Sequence, residues 1–316
     1  MLDLLPLIAG LAGLWLGTEL VVRGAVRIAQ RYGLSELFIG LTVLSIGSDL
    51  PELAVALDGG FRSLGGADVT GIVIGSAIGS AFAQLGLVLG AIGMIRPLLV
   101  PTRHLLRDGS MLVGSALLLV LLGLDSSITR IDGALMVAAF IAYLLLLVKQ
   151  ENTVSTTPVT RRHGVARSWI VLASGMALVI LSSELTVAAA TQLAERWQWP
   201  QYVVAIVLVG LGTSLPELSI SLTAVFRRRG ALSIGNLIGS NIFDTLIPIG
   251  MAAVINPLPF ARKLLVFDIP YLILLSAIVL MFFQGDAKFT RFEAGSVLTL
   301  YCLFVVSKLL TDSTPM

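Results

Sequence analysis

Apolar runs long enough to cross a bilayer recur along the whole chain, and this feature leaves little freedom in the fold. A helical span needs roughly 20 residues, and inside hydrocarbon a helix pairs its own backbone groups. Composition agrees: 56% of the 316 residues are hydrophobic and 13% are charged, where soluble domains carry about 25% charged residues. The reading is an all-α integral membrane protein. A net charge of +2, placed in short loops, identifies no partner. Cys302 is the only cysteine, which excludes an intramolecular disulfide and a Cys-rich metal site. Residues 1–17 are apolar without a basic leader or a small-residue cleavage pattern, so they are expected to be a retained first span.

Charged and turn-forming clusters divide the chain into about ten expected spans. Those of the first half cover Leu4–Ala29, Leu37–Leu57, Val69–Ile95, Leu105–Leu124 and Gly133–Val148. Those of the second half cover Ser168–Leu193, Tyr202–Phe226, Leu232–Ile255, Leu265–Phe283 and Glu293–Leu310. A polar stretch with Pro158 lies between the halves. The expected organisation is a five-helix repeat over 1–148, a cytoplasmic linker over 149–167 and a second five-helix repeat over 168–316.

Residue spacing carries the repeat. Glu19 and Glu184, Gly47 and Gly212, Pro51 and Pro216, and Glu52 and Glu217 all stand 165 positions apart. Beyond the loop Asp58–Asp68 the spacing becomes 160, joining Gly75 to Gly235, Gly79 to Gly239, Pro97 to Pro257 and Asp108 to Asp268. Five spans per copy is an odd number, so the second copy would enter the membrane inverted, as in many transporters. With both termini outside, thirteen loop Lys and Arg residues fall inside and six outside, the sense the positive-inside rule favours.

Two segments interrupt spans that should be continuous: Gly47-Ser48-Asp49-Leu50-Pro51-Glu52 and Gly212-Thr213-Ser214-Leu215-Pro216-Glu217. Proline removes a backbone donor and frees the carbonyl four residues earlier. Freed backbone at membrane depth must face protein or a wet cavity. Carbonyls, hydroxyls and a carboxylate together offer the hard oxygen that Ca2+ and Na+ require. The companion segments run from Gly75 to Gln84 and from Gly235 to Asp244. In them Ser80 and Gln84, and likewise Ser240 and Asp244, are four apart and share a helix face.

Gly-Thr-Ser-Leu-Pro-Glu followed by Gly-Asn-x-x-Gly-Ser-Asn-Ile-Phe-Asp resembles the second alpha-repeat of the cation/Ca2+ exchanger superfamily, on its sodium/calcium exchanger side. The resemblance covers nearly the whole chain and implies alternating-access antiport of Ca2+ against Na+. Carried over, Glu52 and Glu217 become the central Ca2+ carboxylates, helped by backbone oxygens at Ser48 and Thr213. Ser214, Ser80 and Ser240, with carbonyls near Ser45 and Gly210, would serve Na+, and Gln84 and Asp244 would flank the middle of the site. The first repeat departs from the pattern. Asp49 stands where the family usually has Ser, Ser76 and Ala81 where it has Asn, and Gln84 replaces an Asn. H+ or K+ as driving ion therefore stays open, as does a passive channel.

An acid at the centre of a span costs about 2.5–3.5 kcal/mol on the insertion scale, so Asp49, Glu52, Glu217 and Asp244 are read as functional. Asp49 has a second reading as a helix cap, and Gln84 as a bridge between helices. Glu19 and Glu184 are expected to stabilise packing, Glu19 through Arg23 at i, i+4. No phosphate-binding Gly-x-x-x-x-Gly-Lys-[Ser/Thr] loop is present, and no nucleophile–base pair accompanies the acids. The expectation is a transporter rather than an enzyme, functional as a monomer in the plasma membrane. Its partners would be inorganic cations and the bilayer, with no nucleic acid and no cofactor.

Overall fold

Among the described residues of the computed structural model, six helices are long and apolar enough to cross a membrane, and a seventh span appears when one broken pair is counted as one. The described residues are 5–66, 70–99, 105–154, 165–196, 214–284 and 288–312. In chain order the helices are α1 (Leu5–Tyr32), α2 (Glu36–Ser48), α3 (Leu50–Leu64), α4 (residues 70–95), α5 (Leu105–Gly123) and α6 (Arg130–Val154). They continue with α7 (Val165–Arg196), α8 (Leu215–Phe226), α9 (Gly230–Ile255), α10 (Leu264–Gln284) and α11 (Arg291–Asp312). Two-residue strands lie between them: β1 (Leu98–Leu99), β2 (Ser127–Ile128), β3 (Leu258–Pro259) and β4 (Lys288–Phe289). The chain is an integral, multi-pass membrane protein.

The span Leu37–Leu57 is broken inside the Gly47–Glu52 segment, where the sequence placed an interruption. Helix α2 stops at Ser48 and α3 restarts at Leu50, with Asp49 between them. Pro51 and Pro216 are each the second residue of a new helix, α3 and α8. A missing N–H is harmless there, because the first N–H groups of a helix have no intrahelical acceptor. Pro51 therefore starts the second part of a broken helix, and Pro216 lies in the first turn of α8. Pro97 and Pro257 each lie just past a helix end, since α4 and α9 stop at Ile95 and Ile255.

Residues pack into two compact units, each drawing on both sequence halves: Met1–Pro51 with Leu144–Ser240, and Glu52–Tyr143 with Asn241–Met316. In the first unit, α1 and α7 form an antiparallel pair. Gly10, Gly17 and Gly24 recur every seven residues on α1 and face Thr186, Val179 and Leu172 of α7, in reverse order. A Cβ on Gly17 would stand 2.9 Å from Val179 Cγ2, and one on Gly24 would stand 2.9 Å from Leu172 Cα. Without a hydrophobic drive between helices in lipid, this small-residue approach is what lets them pack. Around the pair, Leu14, Val21, Ile28, Ile39, Leu44, Met176 and Ile220 form one buried core.

Polar ties hold the ends of this unit. Glu19 accepts from Arg23 Nε at 2.6 Å, as the i, i+4 spacing suggests, and is also paired with Arg227 Nη2 at 2.7 Å. Arg229 pairs with Glu36, and the Ser35 backbone N–H donates to the Glu151 carboxylate. The arginines after α8 thus fasten helices together. Glu184, the repeat mate of Glu19, is exposed on α7.

In the second unit, residues related by the repeat make equivalent interactions. Strand β1 pairs with β4, and β2 with β3, both antiparallel. The Arg130 guanidinium donates to the Ile255 carbonyl, and Arg291 to that of Ile95. Thr129 with Asp132, and Thr290 with Glu293, form reciprocal capping boxes that start α6 and α11. Buried Asp108 is bound by Arg107 and Tyr143, and its mate Asp268 by Lys308 at 2.8 Å. Phe82 stacks on Phe304 with ring centroids 3.8 Å apart.

Candidate functional site

The first unit contains the break that the sequence singled out. Ser48 ends α2, Asp49 follows at φ/ψ −90°/8°, and Ser214 precedes α8 at −96°/7°. Both residues sit in the sparsely populated bridge region, so the two repeats make the same turn with different side chains. Glu217 falls in the first turn of α8, where a helix N-terminus favours negative charge. Ser45, Ser48, Asp49, Ser214, Glu217 and Ser240 are all buried, none more than 1% exposed.

The Glu217 carboxylate lies beside the Asp49 carboxyl and the Ser48 hydroxyl. Neither Glu217 oxygen closes a well-formed hydrogen bond among the described residues, and the same holds for Ser214 Oγ and Ser240 Oγ. Ser48 Oγ donates to the Ser45 carbonyl at 3.2 Å and approaches Asp49 Oδ1 at 3.3 Å. The Ser45 carbonyl also accepts from Asp49 N at 3.1 Å, so serving an ion would require Ser48 to turn away. Gly239 brings α9 against α2, since a Cβ there would meet Leu41 O at 2.6 Å and Ser45 Oγ at 2.7 Å. Gly235 presses on Leu37 in the same manner. Their repeat mates Gly75 and Gly79 are exposed, with nothing within 4 Å of a Cβ among the described residues. Among the described residues, this close approach is seen at the two glycines of α9.

The second unit carries the remaining residues. Glu52 lies in the first turn of α3 and is 6% exposed. Gln84, at a π-helical stretch of α4, donates through Nε2 to Asp244 Oδ2 at 2.8 Å and to Ser80 Oγ at 3.3 Å. Gln84 Oε1 has no hydrogen-bond partner among the described residues. Asn241 Nδ2 donates to the Ala81 carbonyl at 2.7 Å. The pairs Gln84–Asp244 and Ala81–Asn241 are both repeat mates, 160 positions apart. The Gln84–Ser80 bond confirms the shared face expected from their spacing. The expected Thr213 and Gly210 lie outside the described residues.

Three polar contributors escaped the sequence reading as individual residues: Asn241, Asn236 and Ser221. Asn236 Nδ2 donates to Ser221 Oγ at 3.1 Å, and all three side chains are buried. Their signal was present, because both asparagines belong to the Gly-Asn-x-x-Gly-Ser-Asn motif. Among the described residues, no three His, Cys, Asp or Glu side chains gather closely enough to hold a metal ion by themselves. Any cation held here would draw on hydroxyl, amide and carbonyl oxygen as well as on the acids, a donor set that hard ions accept.

Known proteins resemble this chain in sequence and fold. The sodium/calcium exchanger protein family model matches residues 3–149 and 167–310. The chain is 27% identical over 346 residues to the sodium/calcium exchanger MaX1 of Methanosarcina acetivorans, covering 96% of this chain and 97% of that protein. It is 29% identical over 266 residues to the inner membrane protein YrbG of Escherichia coli, covering 79% of each. A solved structure of the sodium-calcium exchanger NCX_Mj, soaked with zero Na+ and Ca2+, superposes with a TM-score of 0.84 at 30% identity. That match covers 97% of this chain and 98% of that one. A match over both halves, including both Leu-Pro-Glu segments, leaves one conclusion: the chain belongs to the sodium/calcium exchanger family.

Proposed function

We propose that this protein is a secondary active antiporter that exchanges Ca2+ for Na+ by alternating access. The observation that carries the reading is Glu217, fully buried at a helix break, with neither oxygen in a well-formed hydrogen bond among the described residues. An ionised carboxylate taken out of water costs several kcal/mol unless a charge comes to meet it. A transported cation meets that need and must leave again, which suits a site with few permanent partners. In this reading the Leu-Pro-Glu glutamates, Glu52 and Glu217, carry Ca2+ with oxygens at Ser48 and Thr213. Na+ uses Ser214, Ser80, Ser240 and carbonyls near Ser45 and Gly210, with Gln84 and Asp244 in the middle.

The finer architecture belongs to the same proposal: ten spans in two inverted repeats, with both termini outside the plasma membrane. Support comes from the second unit. Gln84 touching its mate Asp244, Asn241 touching its mate Ala81, and the exchanged strand pairs are what a twofold axis relating the copies would produce. The protein would act as a monomer on inorganic cations, without cofactor or nucleic acid, and its family is one of transporters rather than enzymes. A second reading, in which H+ or K+ drives the exchange, is favoured by one observation, the buried carboxylate of Asp49 where the other repeat has Ser214.

The test is Ca2+ release from proteoliposomes loaded with isotopic Ca2+. External Na+ should trigger release from vesicles with the wild-type protein, and Glu217→Gln, folded by the same chromatographic criterion, should release none. Equal release by the two proteins would remove Glu217 from the mechanism.

A further inference from the structure

The two repeats present the same backbone turn before Leu-Pro-Glu, but Asp49 fills it with a carboxylate and Ser214 with a hydroxyl. Within the first unit, Asp49, Ser48 and Glu217 side chains lie together and all are 0% exposed. Glu217 and Ser214, three residues apart, contribute three buried oxygens that close no well-formed hydrogen bond among the described residues. The arginines whose ion pairs are seen in this unit are committed elsewhere, Arg23 and Arg227 to Glu19 and Arg229 to Glu36. The Glu217 carboxylate therefore faces the Asp49 carboxyl and the Ser48 hydroxyl.

Charge then decides between cations. A hydroxyl offers a neutral oxygen to Na+ and Ca2+ alike. A carboxylate in the same place attracts a divalent ion twice as strongly as a monovalent one at equal distance, and the difference grows where water is excluded. We infer that Asp49 is the residue that sets the preference of this transport site for divalent over monovalent cations. The inference rests on the exchanger reading above and adds its specificity determinant. Ser214, at the equivalent turn, leaves the other repeat without that added charge. Asp49 thus makes the protein bind Ca2+ tightly and makes Na+ a weaker competitor for the same oxygens.

Two variants test this at one fixed pH: Asp49→Ser, which copies the other repeat, and Asp49→Asn, which keeps the shape and removes the charge. In proteoliposomes, both should raise the Ca2+ concentration for half-maximal uptake by about tenfold or more, as one lost charge implies. The Na+ concentration for half-maximal Ca2+ release should change by less than about threefold. A readout that needs no transport is the rise in melting temperature that each ion gives the detergent-solubilised protein, because an ion that binds the folded state stabilises it. Ca2+ stabilisation should fall in both variants while Na+ stabilisation persists. An unchanged ratio of Ca2+ to Na+ response, or an equal loss of both, would overturn the role of Asp49. Absence of Na+-driven Ca2+ movement in the wild type would instead overturn the exchanger reading, which separates the two failures.

Discussion

Asp49 and Ser214 stand 165 positions apart and adopt almost the same backbone conformation, −90°/8° and −96°/7°, immediately before the two Leu-Pro-Glu helices. The fold is repeated at this turn although its chemistry is not. In both copies a glutamate follows three residues later, in the first turn of the new helix.

That symmetry gives the first prediction. Glu52→Gln removes a charge at constant shape from a side chain 6% exposed. Ca2+ affinity should fall on the order of a hundredfold, about 2.7 kcal/mol, with the unfolding midpoint without Ca2+ changing far less than the Ca2+ affinity. Calcium titration of the purified variant, beside a melting curve without Ca2+, measures both.

Gln84 fixes Asp244 through a 2.8 Å hydrogen bond. Replacing it with Leu leaves a fully buried carboxylate short of one donor, which should cost about 1–3 kcal/mol of stability. Gln84→Asn, too short to keep the same bond without movement, should fall between wild type and Leu. Thermal unfolding in detergent ranks the three, and equal midpoints would mean that the hydrogen bond does not hold the carboxylate.

Glycine substitutions should separate packed from open positions. Gly24→Ala would place a Cβ 2.9 Å from Leu172 backbone, so α1 and α7 must part, at a cost of about 1–3 kcal/mol. Gly75→Ala meets nothing within 4 Å among the described residues and should be neutral or gain up to about 1 kcal/mol from helix propensity. Unfolding of both variants under one detergent condition checks the contrast.

The Glu19 cluster should matter for stability alone. Its arginines Arg23 and Arg227 are 57% and 55% exposed, so solvent screens much of their attraction. Glu19→Gln should cost no more than about 1 kcal/mol and leave the ratio of Ca2+ to Na+ response as in the wild type. A shifted ratio would show that the cluster reaches the transport site.

The membrane class, most of the described helix positions and the burial of acids within them were legible in the sequence because hydrocarbon punishes charge. An apolar run carrying Asp49 or Glu217 announces both a span and an exception to it. The break itself was half legible. Pro51 and Pro216 signalled an interruption, but not that the helix would stop at Ser48 and restart at Leu50, because a proline is tolerated as well in a first turn as at a kink. The repeat spacing gave the mates Gln84 and Asp244 but not their contact, which depends on how α4 and α9 pack. The pairing of Arg227 with Glu19 was hidden for the same reason: the residues are 208 positions apart.

The central claim is coupling, and uptake of isotopic Ca2+ into proteoliposomes under separately imposed outward Na+, K+ and H+ gradients measures it most directly. The account predicts accumulation of Ca2+ above equilibrium with the Na+ gradient, abolished in Glu217→Gln, and none with K+ or H+ alone. Accumulation driven by K+ or H+ without Na+ would contradict sodium as the driving ion, and equal flux with no gradient at all would contradict exchange itself.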